Sequence, residues 1–230
     1  MPKGPPVKDG SDKNHLLSMA EVVPAIESAI VESAAASSLS EGGTDRFVIA
    51  IAGPPAAGKS TLARQLIERL DGRAGLLAMD AYHFDDAVLN ERGHRDRKGA
   101  PHTFDVASYA LMLEALRRGG TTYAVPEFDR DLELSRNCAS IVDANQSVLI
   151  TEGNYLLLDS EPWAGLEPLF DLTVWVEVDR ATVEQRIRSR WSEAGIPVAE
   201  AERRLHDNDL ANYRTVCEGS RSANLTVLTA

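Results

Sequence analysis

Residues 53–60 read Gly-Pro-Pro-Ala-Ala-Gly-Lys-Ser, and they directly follow the apolar run Phe-Val-Ile-Ala-Ile-Ala at residues 47–52. A short apolar run of this kind is typical of a buried strand. Residues 61–70 come next, with apolar side chains at the spacing of one helix face. Strand, glycine-rich loop and helix therefore occur in the order that a phosphate-binding loop requires.

The residue types in this loop fit the binding of a nucleoside triphosphate. Gly53 and Gly58 let the backbone curl so that successive N–H groups point inward. Lys59 can reach the β- and γ-phosphates, and the Ser60 hydroxyl can ligate Mg²⁺. The residues of the loop that we expect to bind the nucleotide are Gly53, Pro54, Ala56, Ala57, Gly58, Lys59, Ser60 and Thr61.

The composition is that of an acidic globular protein. Its 230 residues are enough for one α/β domain with a sizeable core. The net charge of −11 argues against a protein that holds nucleic acid or an anionic membrane by bulk electrostatics. Cys138 and Cys217 form no close-spaced pair, which favours reduced thiols. With no signal-peptide core and no membrane-length apolar run, we expect a soluble cytoplasmic protein.

The chain divides into three parts. Residues 1–14 are rich in Pro, Gly, Lys and Asp and are expected to be disordered. Residues 15–44 comprise an Ala- and Ser-rich helical segment, in which Pro24 marks a start or a break, and a linker. We expect this segment to serve packing only. Residues 45–230 form the main domain.

Beyond the loop, strand patterns alternate with helical patterns, which predicts an α/β fold with a mostly parallel sheet covered on both faces. Residues 121–125 and 139–142 are expected to form small strands. Residues 81–104 are expected to be irregular, and so long a loop is uncommon in a compact domain unless it binds something. The remaining predicted strands are 76–79, 148–151, 172–178 and 224–228, and the predicted helices are 106–118, 180–194 and 198–217.

Three ionisable residues, Lys59, Asp80 and Glu152, follow or end separate predicted strands. Ligands of open parallel sheets bind beyond the carboxyl ends of the strands, so the fold should gather these residues in one crevice. Asp80 can take or orient the proton of a substrate hydroxyl, although a helix cap would also explain it. Glu152 can bind Mg²⁺ or help to order the centre, although a polar strand end is the alternative.

Arginines matter because phosphoryl transfer spreads negative charge over the transferred group. Arg130 lies in a polar turn between the two small strands and is either a catalytic residue or a solvated one. Arg186 and Arg190 are four residues apart on the predicted helix 180–194 and share a face. They would suit a lid over the phosphates, and a solvated basic face is the alternative.

Three further stretches carry a resemblance to a known family. They are Met-Asp-Ala-Tyr-His-Phe-Asp-Asp at 79–86, Lys-Gly-Ala-Pro-His-Thr-Phe-Asp at 98–105 and Thr-Glu-Gly-Asn-Tyr-Leu-Leu-Leu at 151–158. With the loop at 53–60, they resemble the uridine kinase, phosphoribulokinase and pantothenate kinase group of P-loop kinases. They look like the bacterial branch of uridine-kinase-like proteins that is named fructose-transport-system kinases or nucleoside kinases. The resemblance covers about residues 45–230.

The resemblance implies a three-layer P-loop fold with a five-stranded parallel sheet, a helical lid and a small substrate-side β insertion. It implies ATP and Mg²⁺ as cofactors and a small-molecule hydroxyl as phosphate acceptor. Catalytic roles would fall to Asp80, Lys59, Glu152 and Arg130, and the metal would bind at Ser60 and Glu152. Arg186 and Arg190 do not match the family's pattern cleanly, and we expect them among the nucleotide-binding residues on their shared face of the helix 180–194 alone. The residues expected to bind the acceptor are Asp80, Tyr82, His83, Phe104, Arg130, Asn154 and Tyr155.

The function predicted from these features is ATP-dependent phosphorylation of a small metabolite. A sugar such as fructose, a nucleoside and pantothenate are the candidate acceptors, in that order. A nucleotide switch or accessory NTPase is the alternative from another class, although the chain lacks the Asn-Lys-x-Asp motif of a GTPase. A binding protein that has lost its catalytic activity is a third hypothesis. The oligomeric state is left open, with a homodimer as one candidate.

Overall fold

The computed structural model describes residues 16–37 and 45–229. Within these ranges a six-stranded sheet carries helices on both faces, and two further strands form a separate antiparallel hairpin. The strands are β1 Leu16–Leu17, β2 Phe47–Ala52, β3 Ala74–Ala78, β4 Tyr123–Asp129, β5 Leu134–Val142, β6 Val148–Gly153, β7 Leu172–Glu177 and β8 Leu225–Leu228. The helices are α1 Met19–Ser37, α2 Lys59–Arg69, α3 Asp86–Glu91, α4 Val106–Arg117, α5 Arg180–Glu193, α6 Val198–Arg204 and α7 Leu210–Gly219.

The sheet has the order β1-β8-β7-β2-β6-β3, and each neighbouring pair is parallel. β2, the strand before the glycine-rich loop, lies inside the sheet and alternates its side chains between two cores. Ile49 and Ile51 pack with residues of α1, α2 and α5, whereas Val48 and Ala50 pack with residues of α4. Because both of its faces are buried, the sequence of this strand is a continuous apolar run.

The predicted α/β P-loop architecture is confirmed, but the sheet has six strands where five were expected. The sixth is β1, whose two residues pair with β8 at the edge of the sheet. This strand is too short to leave a periodic signal in the sequence. Among the helices of the described residues, none is long and apolar enough to cross a membrane.

Three local predictions are corrected. The strands expected at 121–125 and 139–142 form one longer hairpin, β4–β5. The segment 81–104, expected to be irregular, contains α3 and several short 3₁₀ turns. Pro24 neither starts nor breaks a helix, since α1 continues through it. The predicted disorder of residues 1–14 lies outside the described residues.

Arg46 anchors the start of β2, and no sequence signal singled it out. The side chain is almost fully buried. Its guanidinium donates to the carbonyl oxygens of Gln146 at 2.8 Å and Asp143 at 2.7 Å, and to that of Leu116. Because buried carbonyl groups need donors, this one residue ties α4 and the chain before β6 to the strand that carries the loop.

Candidate active site

The glycine-rich loop has a backbone that only particular residues can follow. Gly58 has φ +101° and immediately precedes α2, so the loop turns directly into the helix N-terminus. Ala56 also lies in the left-handed region, at φ +58°. Such strained positions are typical of ligand-binding loops, which the surrounding structure must hold in place. The loop therefore offers N–H groups and the positive end of a helix to an anion.

Gly53 is fixed by lack of space, because a Cβ atom here would lie 2.6 Å from the carbonyl oxygen of Val176 on β7. We expect Gly53→Ala to destabilise the protein by about 1–3 kcal/mol, the usual cost of overpacking against backbone. The melting temperature should fall by about 3–10 °C, which calorimetry can measure. Gly165→Ala is the matched control, since its Cβ would meet its nearest neighbour at 3.6 Å. Equal melting temperatures for the two variants would contradict the steric assignment.

Lys59 lies at the first position of α2 with its ammonium group held in place. Nζ donates to the carbonyl oxygen of Pro54 at 2.8 Å and to Oδ1 of Asn154 at 2.7 Å. Burial lowers the pKa of Lys59 to about 8, although the carboxylates of Glu152 and Asp80 act in the opposite direction. The amine is thus held in place beside the loop. A phosphate bound there would favour the charged form of Lys59 and so offset the effect of burial on its pKa.

Ser60 and Glu152 face each other, since Ser60 Oγ donates to Glu152 Oε1 at 2.9 Å. Burial raises the pKa of Glu152, and the charge of Asp80 raises it further. A buried carboxylate beside a hydroxyl is a donor set that suits Mg²⁺, which binds through one or two carboxylates together with substrate phosphates. Within the described residues, no three His, Cys, Asp or Glu side chains group as a metal site. The arrangement therefore fits an ion held largely by the nucleotide.

Asp80 follows β3 and is held by Arg130, which lies in the turn of the β4–β5 hairpin. Arg130 Nη2 lies 2.9 Å from Asp80 Oδ2. Burial alone would raise the pKa of Asp80, but the charges of His83, Arg130 and Lys59 outweigh burial and lower it. Asp80 is therefore ionised at neutral pH, while the neighbouring Glu152 has its pKa raised. Two carboxylates with opposite shifts are a recurring property of catalytic centres.

These groups meet in one cavity of about 590 Å³ at the carboxyl edge of the sheet. Its position agrees with the rule that open parallel sheets bind ligands there. Twelve of the predicted site residues line it: Ala56, Ala57, Gly58, Lys59, Ser60, Thr61, Asp80, Arg130, Glu152, Asn154, Arg186 and Arg190. Pro54 contributes through its carbonyl bond to Lys59. Four residues that the sequence did not single out complete the lining: Met19, Pro55, Gln65 and Thr229.

Four residues expected to bind the acceptor do not line this cavity. Phe104 and Tyr155 are buried, with their ring centroids 5.7 Å apart, and the Tyr155 hydroxyl donates to the carbonyl oxygen of Gly99. The His83 and Phe104 ring centroids are 4.0 Å apart with the rings tilted by 43°, and Tyr82 lies edge-on to Tyr109. The rings contact one another outside the cavity lining, and His83 Nδ1 lies 2.7 Å from the carbonyl oxygen of Asp80.

The chain between residues 48 and 195 matches the model of the Phosphoribulokinase / Uridine kinase family. The chain belongs to this family. Its members are small-molecule kinases, and the protein is therefore a phosphotransferase with a P-loop.

Individual relatives agree with this membership. The kinase is 33% identical over 187 residues to YggC, an uncharacterized protein of Escherichia coli K12, with 79% of this chain and 77% of YggC covered. A candidate uridine kinase of Schizosaccharomyces pombe is 29% identical over 184 residues, or 74% of this chain and 78% of that protein. The crystal structure of a candidate fructose transport system kinase from Silicibacter sp. TM1040 superposes with a TM-score of 0.81 at 31% identity, covering 91% and 98% of the two chains.

The predicted lid helix of this kinase is α5, and both of its arginines reach the cavity. Arg186 Nη1 donates to the carbonyl oxygen of Ala56 at 3.1 Å, which ties the helix to the loop. Arg190 lies 3.7 Å from Asp209 and stacks beside Trp191. Asp209 ends a π-helical turn at Leu205–Asp209, and such turns often occur at functional sites. Both arginines therefore contact other parts of the protein at the cavity, and their role toward the phosphates stays a prediction.

Proposed function

We propose that the protein transfers the γ-phosphoryl group of MgATP to a hydroxyl group of a small metabolite, with a sugar such as fructose as the first candidate. The main support is the position of one carboxylate. Asp80, an ionised carboxylate two residues beyond β3, shares a cavity with the phosphate-binding loop and Lys59. A hydroxyl placed between them would meet a proton acceptor on one side and a phosphoryl group on the other.

The donor half would bind the triphosphate through the loop N–H groups, Lys59 and the lid arginines. Ser60 and Glu152 would hold Mg²⁺, which would supply positive charge to neutralise the phosphates. Arg186 and Arg190 would face the charge that spreads over the transferred group.

The acceptor half would begin at Asp80. The acceptor oxygen forms a bond to the γ-phosphorus while the bond from that phosphorus to the β–γ bridging oxygen breaks. The hydroxyl proton passes to the Asp80 carboxylate, and ADP leaves with the bond's electron pair. Arg130 pairs with Asp80 at 2.9 Å, and its side chain would have to move away from Asp80 when the acceptor binds. Its guanidinium would then be free to contact the acceptor or the transferred group.

The lining of the cavity favours a sugar over a nucleoside. Of the described residues that surround it, none is aromatic, and the acceptor end presents Asp80, Arg130 and Asn154. These groups can hydrogen-bond several hydroxyls, and among the described residues this end of the cavity presents no apolar or aromatic side chain on which the base of an acceptor nucleoside could pack. The charge of Arg130 favours an acceptor with a carboxylate, such as pantothenate, as the second candidate.

A panel of sugars, nucleosides and pantothenate, each assayed with MgATP for ADP release, tests the proposal. We expect at least one acceptor to raise ADP release well above the rate with MgATP alone, with sugars or pantothenate preferred over nucleosides. The phosphorylated product should be identified by mass spectrometry. Hydrolysis that no acceptor stimulates, together with a partner that binds only the ATP form, would instead support the nucleotide switch.

Removal of the Glu152 carboxylate should weaken Mg²⁺ binding. We expect Glu152→Gln to raise the Mg²⁺ concentration for half-maximal activity about tenfold, within the range seen when a metal's supporting groups are lost. The measurement is a Mg²⁺ titration at fixed ATP. Glu68→Gln is the control, because Glu68 is an exposed carboxylate of α2 that lies outside the cavity lining. An unchanged Mg²⁺ requirement in Glu152→Gln would contradict the assignment.

A further inference from the structure

The order of the strands sets the order of the groups along the carboxyl edge of the sheet. Asp80 follows β3, Glu152 lies at the end of β6, and the phosphate-binding loop follows β2. On the other side of β2, Thr229 follows β8 and Met19 closely follows β1. Neighbouring strands are about 4.8 Å apart, so β3 lies about 10 Å to one side of β2 and β1 about 14 Å to the other.

The geometry of the reaction indicates which end of the cavity holds the acceptor and which end holds the nucleotide. In phosphoryl transfer the attacking and leaving oxygens lie roughly in line with the phosphorus. If the acceptor attacks from the Asp80 side, the ADP part of the nucleotide must extend away from β3. The edge that it would follow leads past β7 to β8 and β1, where Thr229 and Met19 line the same cavity as the loop.

Met19 is held firmly at this end. It begins α1, and Ser18, just before it, bonds through N and Oγ to Glu21 Oε2 at 2.8 and 2.7 Å. This pairing is a helix-capping arrangement. One turn further on, Val22 and then Ile26 are fully buried in the core shared with α2 and β2. The partly buried Met19 side chain is therefore presented to the cavity by a docked helix.

Thr229 forms the adjoining part of this wall. Its Oγ1 donates to the carbonyl oxygen of Ala57 at 2.9 Å, and its backbone N–H to that of Glu177 at 3.1 Å. The hydroxyl is thus occupied by the loop. A thioether is polarisable and packs well against the face or edge of an aromatic ring. Met19 and Thr229 together present an apolar surface suited to a nucleobase.

We infer that residues 16–37 are part of the nucleotide-binding site, with Met19 supplying the wall against which the base of the donor nucleotide packs. The inference rests on the proposed function, and it replaces the packing-only role expected from the sequence. The N-terminal segment then sets the affinity for the nucleoside part of the donor. The loop, Lys59 and the metal site recognise its phosphates.

Binding of two ligands separates these contributions. In calorimetric titrations with Mg²⁺, we expect Met19→Ala to weaken the affinity for a non-hydrolysable ATP analogue about three- to tenfold. The affinity for inorganic tripolyphosphate should stay the same, because that ligand has no base. Met19→Leu should keep most of the ATP-analogue affinity, since it preserves the apolar volume.

Leu17→Ala is the matched control, because Leu17 packs on the same core in the same segment without lining the cavity. It should leave the ratio of the two affinities unchanged even if it lowers the melting temperature. Unaltered affinity for the ATP analogue in Met19→Ala, or an equal loss for both ligands, would overturn the inference. Wild-type protein that binds neither ligand would overturn the proposed function itself.

Discussion

Asp80→Asn is expected to reduce kcat by about 10²–10⁴-fold, the usual contribution of a positioned general acid or base. The amide keeps the size of the carboxylate but cannot accept the hydroxyl proton. MgATP binding should be largely spared, because the loop, Lys59 and Ser60 are untouched. Steady-state ADP release with the best acceptor measures the first effect, and calorimetric titration with a non-hydrolysable ATP analogue measures the second.

The fold should tolerate this change. Arg130, which loses its partner, has a side chain that is 57% exposed, so water can solvate its charge. Asp96→Asn is the matched control, since Asp96 is an exposed carboxylate in the segment 81–104 that follows Asp80 and lies outside the cavity lining. If Asp80→Asn transferred phosphate at nearly the wild-type rate, Asp80 would not be the base, and acceptor orientation would need another group.

The donor half of the site was predictable because its chemistry is local. A phosphate-binding loop needs glycines, a lysine and a hydroxyl at fixed spacing after a strand, and all of these are contiguous in the chain. Asp80 and Glu152 were predictable by one further step, since each ends a buried run and parallel strands end at one edge. The structure brings both into one cavity with Lys59. Their catalytic roles stay predictions.

The remaining lining required the order of the strands, which the sequence does not encode locally. Thr229 immediately follows the last predicted strand, so the same edge rule would have found it had it been applied to every strand. Met19 depends on a two-residue strand that pairs across nearly the whole chain, with Leu16 opposite Thr226. Periodicity could show that residue 19 is apolar, but not that β1 places it beside the loop.

The acceptor side was the least predictable part of the site because aromatic residues occur both in binding pockets and in the hydrophobic core. Phe104 and Tyr155 have the composition of a binding pocket, yet the structure places both in the core. A motif reports which residues recur together, whereas the face that each side chain presents depends on packing between distant segments. The hairpin β4–β5 was predicted only at the ends away from its turn, because the residues nearer the turn include Pro126, Glu127, Arg136 and Asn137, which break an apolar strand pattern.

Lys59→Met is expected to weaken the affinity for the ATP analogue and for tripolyphosphate alike, and to lower kcat by about 10²–10³-fold, the usual cost of losing one preorganised charge-stabilising donor. The ammonium contacts Pro54 and Asn154 before any ligand binds, so little further entropy is lost in positioning it when the transition state forms. Calorimetry with both ligands and steady-state kinetics measure the two effects. Arg64→Met removes the same charge from an exposed position on α2 and should change neither.

Stability should not account for the loss of activity in Lys59→Met. The pKa of Lys59 falls from 10.5 to about 8 on folding, which corresponds to a cost of about 3 kcal/mol below pH 8 that disappears above pH 10.5. The methionine avoids that cost but leaves the Pro54 carbonyl and the Asn154 amide oxygen without a donor, at about 1–3 kcal/mol. The two terms nearly cancel, so the melting temperature at pH 7 should change little. A variant that stays folded and retains tripolyphosphate affinity would show that Lys59 does not bind the phosphates.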